Sequence, residues 1–144
     1  MSEVTGKVPM WFWVVGILAL IWNLIGASQY VAQVTMGEAE LSALTDAMRA
    51  LYEATPAWVN GAFAIAVFGG AIGSLLLLLR SKLATWALLA SLAGVLAQQS
   101  YIFFGSNTLE VVGTAGIILP ILVLIIAIAL VVYARFCTAK GWLR

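Results

Sequence analysis

The stretch ATPAWVNGAFAIAVFGGAIGSLLLLL, residues 54–79, decides the fold. It carries no charged side chain and opens on Thr55-Pro56, which reads as an N-cap followed by the first helical position. A helix needs about 20 apolar residues to cross a bilayer core, so this segment is long enough to span. Residues 8–37, 83–109 and 111–134 are also uncharged and mostly apolar. All seven basic and six acidic residues lie outside the four runs. Charged residues make up 9% of the 144, against about a quarter in a soluble domain. The expectation is an all-α membrane protein, a four-transmembrane-helix bundle with a short outer amphipathic interfacial helix. It forms a single integral membrane domain over residues 1–144, with spans at approximately 10–34, 56–79, 83–105 and 113–134 and the interfacial helix at approximately 37–53.

Composition narrows the chemistry. A net charge of +1 offers no basic face to neutralise phosphates, which excludes nucleic acid as a partner. There is no histidine, and Cys137 is the single cysteine, so no disulfide, His/Cys metal site or Cys–His nucleophile can be assembled. No acid–base pair lies within a span, and an enzyme, a metal or a cofactor is not expected. Cys137 is expected just past the last span, at the membrane surface. The first run, Val8 to Ala27, exceeds the roughly 7–15-residue core of a signal peptide and has no A-x-A site after it, so it reads as a retained span.

Basic residues set the orientation. Lys7, Arg80, Lys82, Arg135, Lys140 and Arg144 fall on the side shared by both termini and the turn between spans two and three. Only Arg49 falls on the other side. The positive-inside rule therefore places both termini in the cytoplasm. Glu38, Glu40, Asp46, Glu53 and Glu110 then face outward, and Glu3 inward. Trp11, Phe12, Trp13, Trp86, Tyr133, Phe136 and Trp142 mark one interface. Tyr30, Tyr52, Trp58, Tyr101, Phe103 and Phe104 mark the other, because rings with an apolar body and a polar tip favour that depth.

The first loop has its own pattern. Leu41, Leu44, Met48 and Leu51 recur at helical spacing and form one apolar stripe. Thr35 and Glu38 have capping-box spacing, while Asp46–Arg49 and Arg49–Glu53 can pair along the polar side.

Small residues recur on every span. Lipid offers no hydrophobic drive for helix association, so close approach at small residues supplies the packing. Gly16, Ala19, Asn23, Gly26 and Tyr30 share a face of the first span, and Ala87, Ser91, Gly94, Gln98 and Tyr101 share one of the third. The fourth carries Gly113, Gly116, Pro120, Ala127 and Ala134. The second is small on two sides, with Ala62, Ala66, Gly69 and Gly73 on one and Asn60, Ala64, Ala71 and Ser74 on the other. Gly26, Gly69, Gly73 and Gly94 are the predicted packing glycines. Pro120, which frees the carbonyl of residue 116, is the predicted hinge.

The site-like signal is a set of uncharged polar groups within the spans. Asn23 falls near the midplane; Tyr30, Asn60, Gln98, Gln99 and Tyr101 fall in the outer half, with Gln29 and Gln33 at its rim. Buried amides must be paired, so they serve either as interhelical hydrogen bonds, worth about 0.6–2 kcal/mol each, or as the wall of an outward-facing recess. Asn23, Tyr30, Asn60, Gln98 and Tyr101 are the candidate substrate-binding residues. Amides and phenols beside aromatic rings suit a neutral solute such as a polyol better than an ion. No Asp, Glu, Lys, Arg or His lies within a span, so transport would be facilitated diffusion without coupling.

Trp11-Phe12-Trp13 through Trp22-Asn23-Leu24, Leu51-Tyr52-Glu53, Pro56-Ala57-Trp58-Val59 and Ala64-Ile65-Ala66-Val67-Phe68-Gly69-Gly70 carry a resemblance that runs to Lys140-Gly141-Trp142. The pattern resembles a group of small four-span bacterial inner-membrane proteins catalogued as sugar transporters. The resemblance implies a bacterial inner-membrane location and allows a sugar as the solute. Three functions follow as expectations. The first is a facilitated carrier or binder of a small neutral solute, working as a homo-oligomer. The second is a structural or accessory subunit, docking on a membrane-protein partner through the small faces of span two. The third is a binder of lipid or another hydrophobic molecule.

Overall fold

The computed structural model describes residues 8–106 and 108–144. Lys7 and Glu3, which enter the charge map, lie outside the described residues. The chain is all-α, and four of its helices are long and apolar enough to cross a membrane: Met10–Val34, Ala57–Leu78, Leu83–Gly105 and Gly116–Ala139. It is therefore a multi-pass membrane protein in contact with the lipid bilayer. We label the helices α1 (Met10–Val34), α2 (Glu38–Ser42), α3 (Asp46–Ala54), α4 (Ala57–Leu78), α5 (Leu83–Ser100) and α6 (Thr108–Ala139). A π-helical segment, Tyr101–Gly105, continues α5.

Glycine decides which helices touch. A Cβ on Gly94 would stand 2.6 Å from the Ala62 carbonyl oxygen and 2.8 Å from the Ala66 nitrogen. One on Gly69 would stand 3.2 Å from the Ser91 nitrogen, and one on Gly73 2.6 Å from Leu88 Cγ. These pairs run in opposite senses, so α4 and α5 are antiparallel with their backbones in near contact. The other side of α4 is used as well. Gly70 receives the Asn23 amide, and a Cβ on Gly26 would stand 3.0 Å from Val67 Cγ1. α4 thus packs on two sides, against α5 through Gly69 and Gly73 and against α1 through Gly70.

The end of the bundle that holds the start of α1 and the C-terminus is the solid one. Phe12, Leu77, Leu88, Ala134, Cys137 and Leu143 are almost wholly buried there. Two helix ends interlock at that end. Ser81 N donates to Leu76 O and Arg80 N to Leu77 O, each at 2.9 Å, which ends α4 in a Schellman motif. Trp142 N donates to Cys137 O and Gly141 N to Thr138 O, each at 3.0 Å, which ends α6 the same way. Gly141 takes the left-handed position freely at φ 78°, whereas Arg80 at φ 58° works against its Cβ, at about 1–2 kcal/mol. The tail holds Arg80 in place: its Nε donates to Trp142 O at 2.7 Å, and Arg144 N donates to Arg80 O at 2.8 Å. Cys137, expected just past the last span, lies within α6 and is wholly buried against the chain.

At the opposite end the structure departs from the expected elements in four ways. The single interfacial helix is two, α2 and α3, because Thr45 takes an extended conformation and accepts a hydrogen bond from Met48 N at 3.2 Å. A new N-cap there interrupts the run. Thr35 does not form a capping box; its hydroxyl donates back to Val31 O at 2.6 Å, and Gly37 occupies the N-cap of α2. Thr55 likewise donates back to Leu51 O, and Pro56 is the N-cap of α4 instead of its first position. Finally, the last long helix carries a break that the pattern did not lead us to expect, at Gly113 (φ 72°, ψ −171°). A residue without Cβ takes that backbone at no steric cost, whereas Pro120 sits within continuous helix. Of the two surface pairs, Arg49–Glu53 forms at 3.3 Å, and it is the one ion pair among the described residues.

Candidate binding cavity

Helix contacts follow chain order: α1 against α4, α4 against α5, α5 against α6. The backbones of α1 and α6 do not close on one another in the same way. They meet through large side chains at the terminal end, where Trp11 lies 6.2 Å from Tyr133 and 6.5 Å from Phe136 between ring centroids, with Trp142 of the tail edge-on to it at 5.3 Å. Towards the middle and far end the four helices leave a partly open cavity of about 280 Å³. At roughly 30 Å³ per molecule, that is room for about nine waters or one small ligand. Every span contributes to the wall: Trp22, Asn23 and Gln29 from α1, Phe63 and Val67 from α4, Ser91, Gln98 and Gln99 from α5, Pro120 and Ile126 from α6.

Two of the five predicted binding residues, Asn23 and Gln98, are brought together here, with Pro120 beside them. Asn23 is buried; its Nδ2 donates to Ala19 O at 2.9 Å and lies 3.4 Å from Ser74 Oγ. Gly70 makes room for this amide, since any Cβ there would overlap it. The other three lie outside the cavity wall. Asn60 Oδ1 accepts from Gln33 Nε2 at 3.2 Å, a bond between α1 and α4 of the interhelical kind. Tyr30 is half-buried and sits edge-on to Phe63 and Phe68. Tyr101 lies edge-on to Trp58, with its hydroxyl 3.5 Å from Ala54 O. Aromatic packing absorbs both phenols.

The group missing from the predicted set is Gln99. It is 6% exposed, its Nε2 donates to Pro120 O at 2.6 Å, and its Oε1 has no partner. The buried residues of α5 are Ala84, Leu88, Ser91, Gly94, Val95 and Gln99; they share Ser91 and Gly94 with the small-residue stripe, and Gln99 lies about 100° around the helix from Gln98. Both glutamines line the cavity. Residue periodicity favoured the stripe; the adjacent glutamine pair was the available signal for its neighbour. The carbonyl that Gln99 engages is that of Pro120 itself, not the freed one at residue 116.

The wall is chiefly hydrocarbon, and no titratable side chain takes part in it. Its polar side-chain groups are four amides, one hydroxyl and the Trp22 indole N–H, and Ser91 Oγ is already committed to Ala66 O at 2.6 Å. Such a chamber can hold an uncharged molecule by shape and by hydrogen bonds to its amides. Along the seam between α1 and α6 the wall continues into a shallower apolar hollow of about 330 Å³, bounded by Val15, Leu18, Ala19, Trp22, Ile126 and Leu130. The four spans and this chamber define the class as a multi-pass membrane protein with an intramembrane cavity. Comparison with protein families, curated proteins and solved structures found no match to the chain.

Proposed function

We propose that this protein binds, or carries across the membrane, a small uncharged molecule held in the cavity between its four spans. The observation that carries the reading is the cavity itself, walled by uncharged groups from all four helices, the side-chain amides of Asn23, Gln29 and Gln98 among them. Charged ligands are disfavoured because no counter-charge lines the wall. Movement of a solute through it would be facilitated diffusion. The resemblance to small bacterial inner-membrane proteins supports that location, with sugars among the solutes to be tried. The grouping of Arg80, Lys82, Arg135, Lys140 and Arg144 at the terminal end supports a cytoplasmic placement of both termini. A pair of protomers would give a longer pathway than four helices enclose. The alternative, an accessory subunit docked through α4, has less support, because Gly69 and Gly73 face α5 and Gly70 faces α1.

The test is thermal unfolding in mild detergent against hexoses, glycerol, aliphatic alcohols and their charged analogues. A neutral class should raise the unfolding temperature in proportion to ln(1 + [L]/Kd), and charged analogues should not. Ala127→Trp, which fills the chamber, should abolish the shift, whereas Ile128→Trp, facing outward, should keep it. If no neutral class shifts the transition, or if the shift survives Ala127→Trp, the cavity is not a binding site.

A further inference from the structure

We propose that Arg80, Lys82 and Arg144 form a binding site for a phospholipid of net negative charge. Its headgroup phosphate sits on the three cations, and its chains lie along the adjoining ends of α4 and α5. The site is at the terminal end of the bundle and is independent of the cavity.

Backbone hydrogen bonds bring the three residues together. Arg80 and Lys82 flank Ser81 in the turn between α4 and α5, and Arg144 closes over that turn. Its N–H donates to Arg80 O at 2.8 Å, and its carbonyl accepts from Lys82 N at 3.3 Å. Arg80 Nε donates to Trp142 O at 2.7 Å. That bond holds the guanidinium in place and spends one of its five N–H donors, leaving both outer nitrogens. A guanidinium fork matches phosphate oxygens in geometry and charge. Arginine also stands here at a left-handed backbone position, φ 58°, that glycine would take without steric cost. Lys82 and Arg144 are exposed beside it.

No acidic side chain answers these cations. Among the described residues the one ion pair is Arg49–Glu53, and Glu38, Glu40, Asp46 and Glu110 share its end of the bundle. Arg135 and Lys140, near the end of α6, strengthen the positive field. Even with an α-carboxylate on Arg144 set against them, the five basic residues leave a net charge of +4. Depth and surroundings select a lipid over a free anion. The cluster lies between the end of one span, Leu78, and the start of the next, Leu83, where hydrocarbon gives way to headgroups. Leu79 and Leu83, the residues on either side of it, are 65% and 61% exposed, and Trp86 is 70% exposed. These side chains offer an apolar surface to the chains of a lipid whose phosphate rests on the cluster. A zwitterionic headgroup would bring its own ammonium against the same cations, so a net negative one fits better.

The experiment follows thermal unfolding of the full chain in a neutral maltoside detergent as phosphatidylglycerol, phosphatidylcholine or inorganic phosphate is added. Phosphatidylglycerol should raise the unfolding temperature saturably, and the other two should not. Lys82→Gln and Arg144→Gln should each weaken the apparent affinity for phosphatidylglycerol about fivefold, the worth of one basic residue at an anionic surface. Their unfolding temperatures in phosphatidylcholine should match that of the unaltered protein, because only backbone atoms of Lys82 and Arg144 join the hydrogen-bonded turn and glutamine keeps those. Two double variants separate a site from diffuse attraction, since each removes two charges. Lys82→Gln with Arg144→Gln should weaken binding more than Arg135→Gln with Lys140→Gln, and Arg49→Gln should leave it unchanged. Equal losses in the two double variants, an equal shift with phosphatidylcholine or with phosphate alone, or no shift with phosphatidylglycerol overturns the proposal.

Discussion

Gly94→Ala is the substitution that best tests how the bundle is held. The added methyl carbon would stand 2.6 Å from Ala62 O and 2.8 Å from Ala66 N, both backbone atoms that no side-chain rotation can move. Ordinary contact begins at 3.4 Å, so α4 and α5 must part by 0.8 Å (3.4 less 2.6) at that point. Parting loosens the neighbouring approach at Gly69 and stretches the Ser91 Oγ to Ala66 O bond. Overpacking of this kind costs about 1–3 kcal/mol. Replacing glycine by alanine within a helix returns roughly 0.5–1 kcal/mol. The net expectation is a loss of about 1–2 kcal/mol. Gly61→Ala is the control, because its methyl group meets nothing within 4 Å and keeps only the helical gain. Reversible unfolding in mixed micelles, followed by far-ultraviolet circular dichroism, measures both. If Gly94→Ala proves as stable as Gly61→Ala, the near-contact of α4 and α5 is not what holds the pair.

Two further outcomes bear on the terminal end. Trp142→Ala removes a buried ring that lies edge-on to Trp11, Phe12 and Phe136, and should cost about 3–5 kcal/mol in the same assay, with the tail after α6 becoming protease-sensitive; unchanged stability would mean that the tail is not docked. Cys137 should resist thiol reagents from either face of sealed vesicles and react only after unfolding, because it is 0% exposed, while exposed Ser42→Cys in a Cys137→Ala background should react from the extracytoplasmic face alone. Rapid modification of Cys137 in the folded protein contradicts its burial, and labelling of Ser42→Cys from the cytoplasmic side reverses the proposed orientation.

Of the five candidate site residues, Asn23 and Gln98 reach the cavity and three do not. Asn23 could be found because it shares a face with Gly16, Ala19 and Gly26, and a polar residue on a packing stripe must point inward. Tyr30, Asn60 and Tyr101 obey the same pattern yet find partners in Phe63, Gln33 and Trp58, which helix register alone brings opposite them. Gln99 lies one residue off the small-residue stripe. Whether Gln98 or Gln99 is the more buried depends on the rotation of α5 about its axis. That rotation is set by how Gly94 seats against Ala62 and Ala66, a contact between segments far apart in sequence.

The number of spans, their length and their contact with lipid were determined by the sequence alone. Twenty or more uncharged apolar residues have one low-energy home, and helical hydrogen bonding is the way to satisfy their backbone there. The glycines marked where close packing would occur, but not which helix would fill each face. Tertiary structure decided that α4 is wedged between α1 and α5, that the break in α6 falls at Gly113, and that α1 and α6 stay apart around a chamber. A cavity is what remains after several helices have each found their closest approach. It is therefore a property of pairs of segments, and no single segment encodes it.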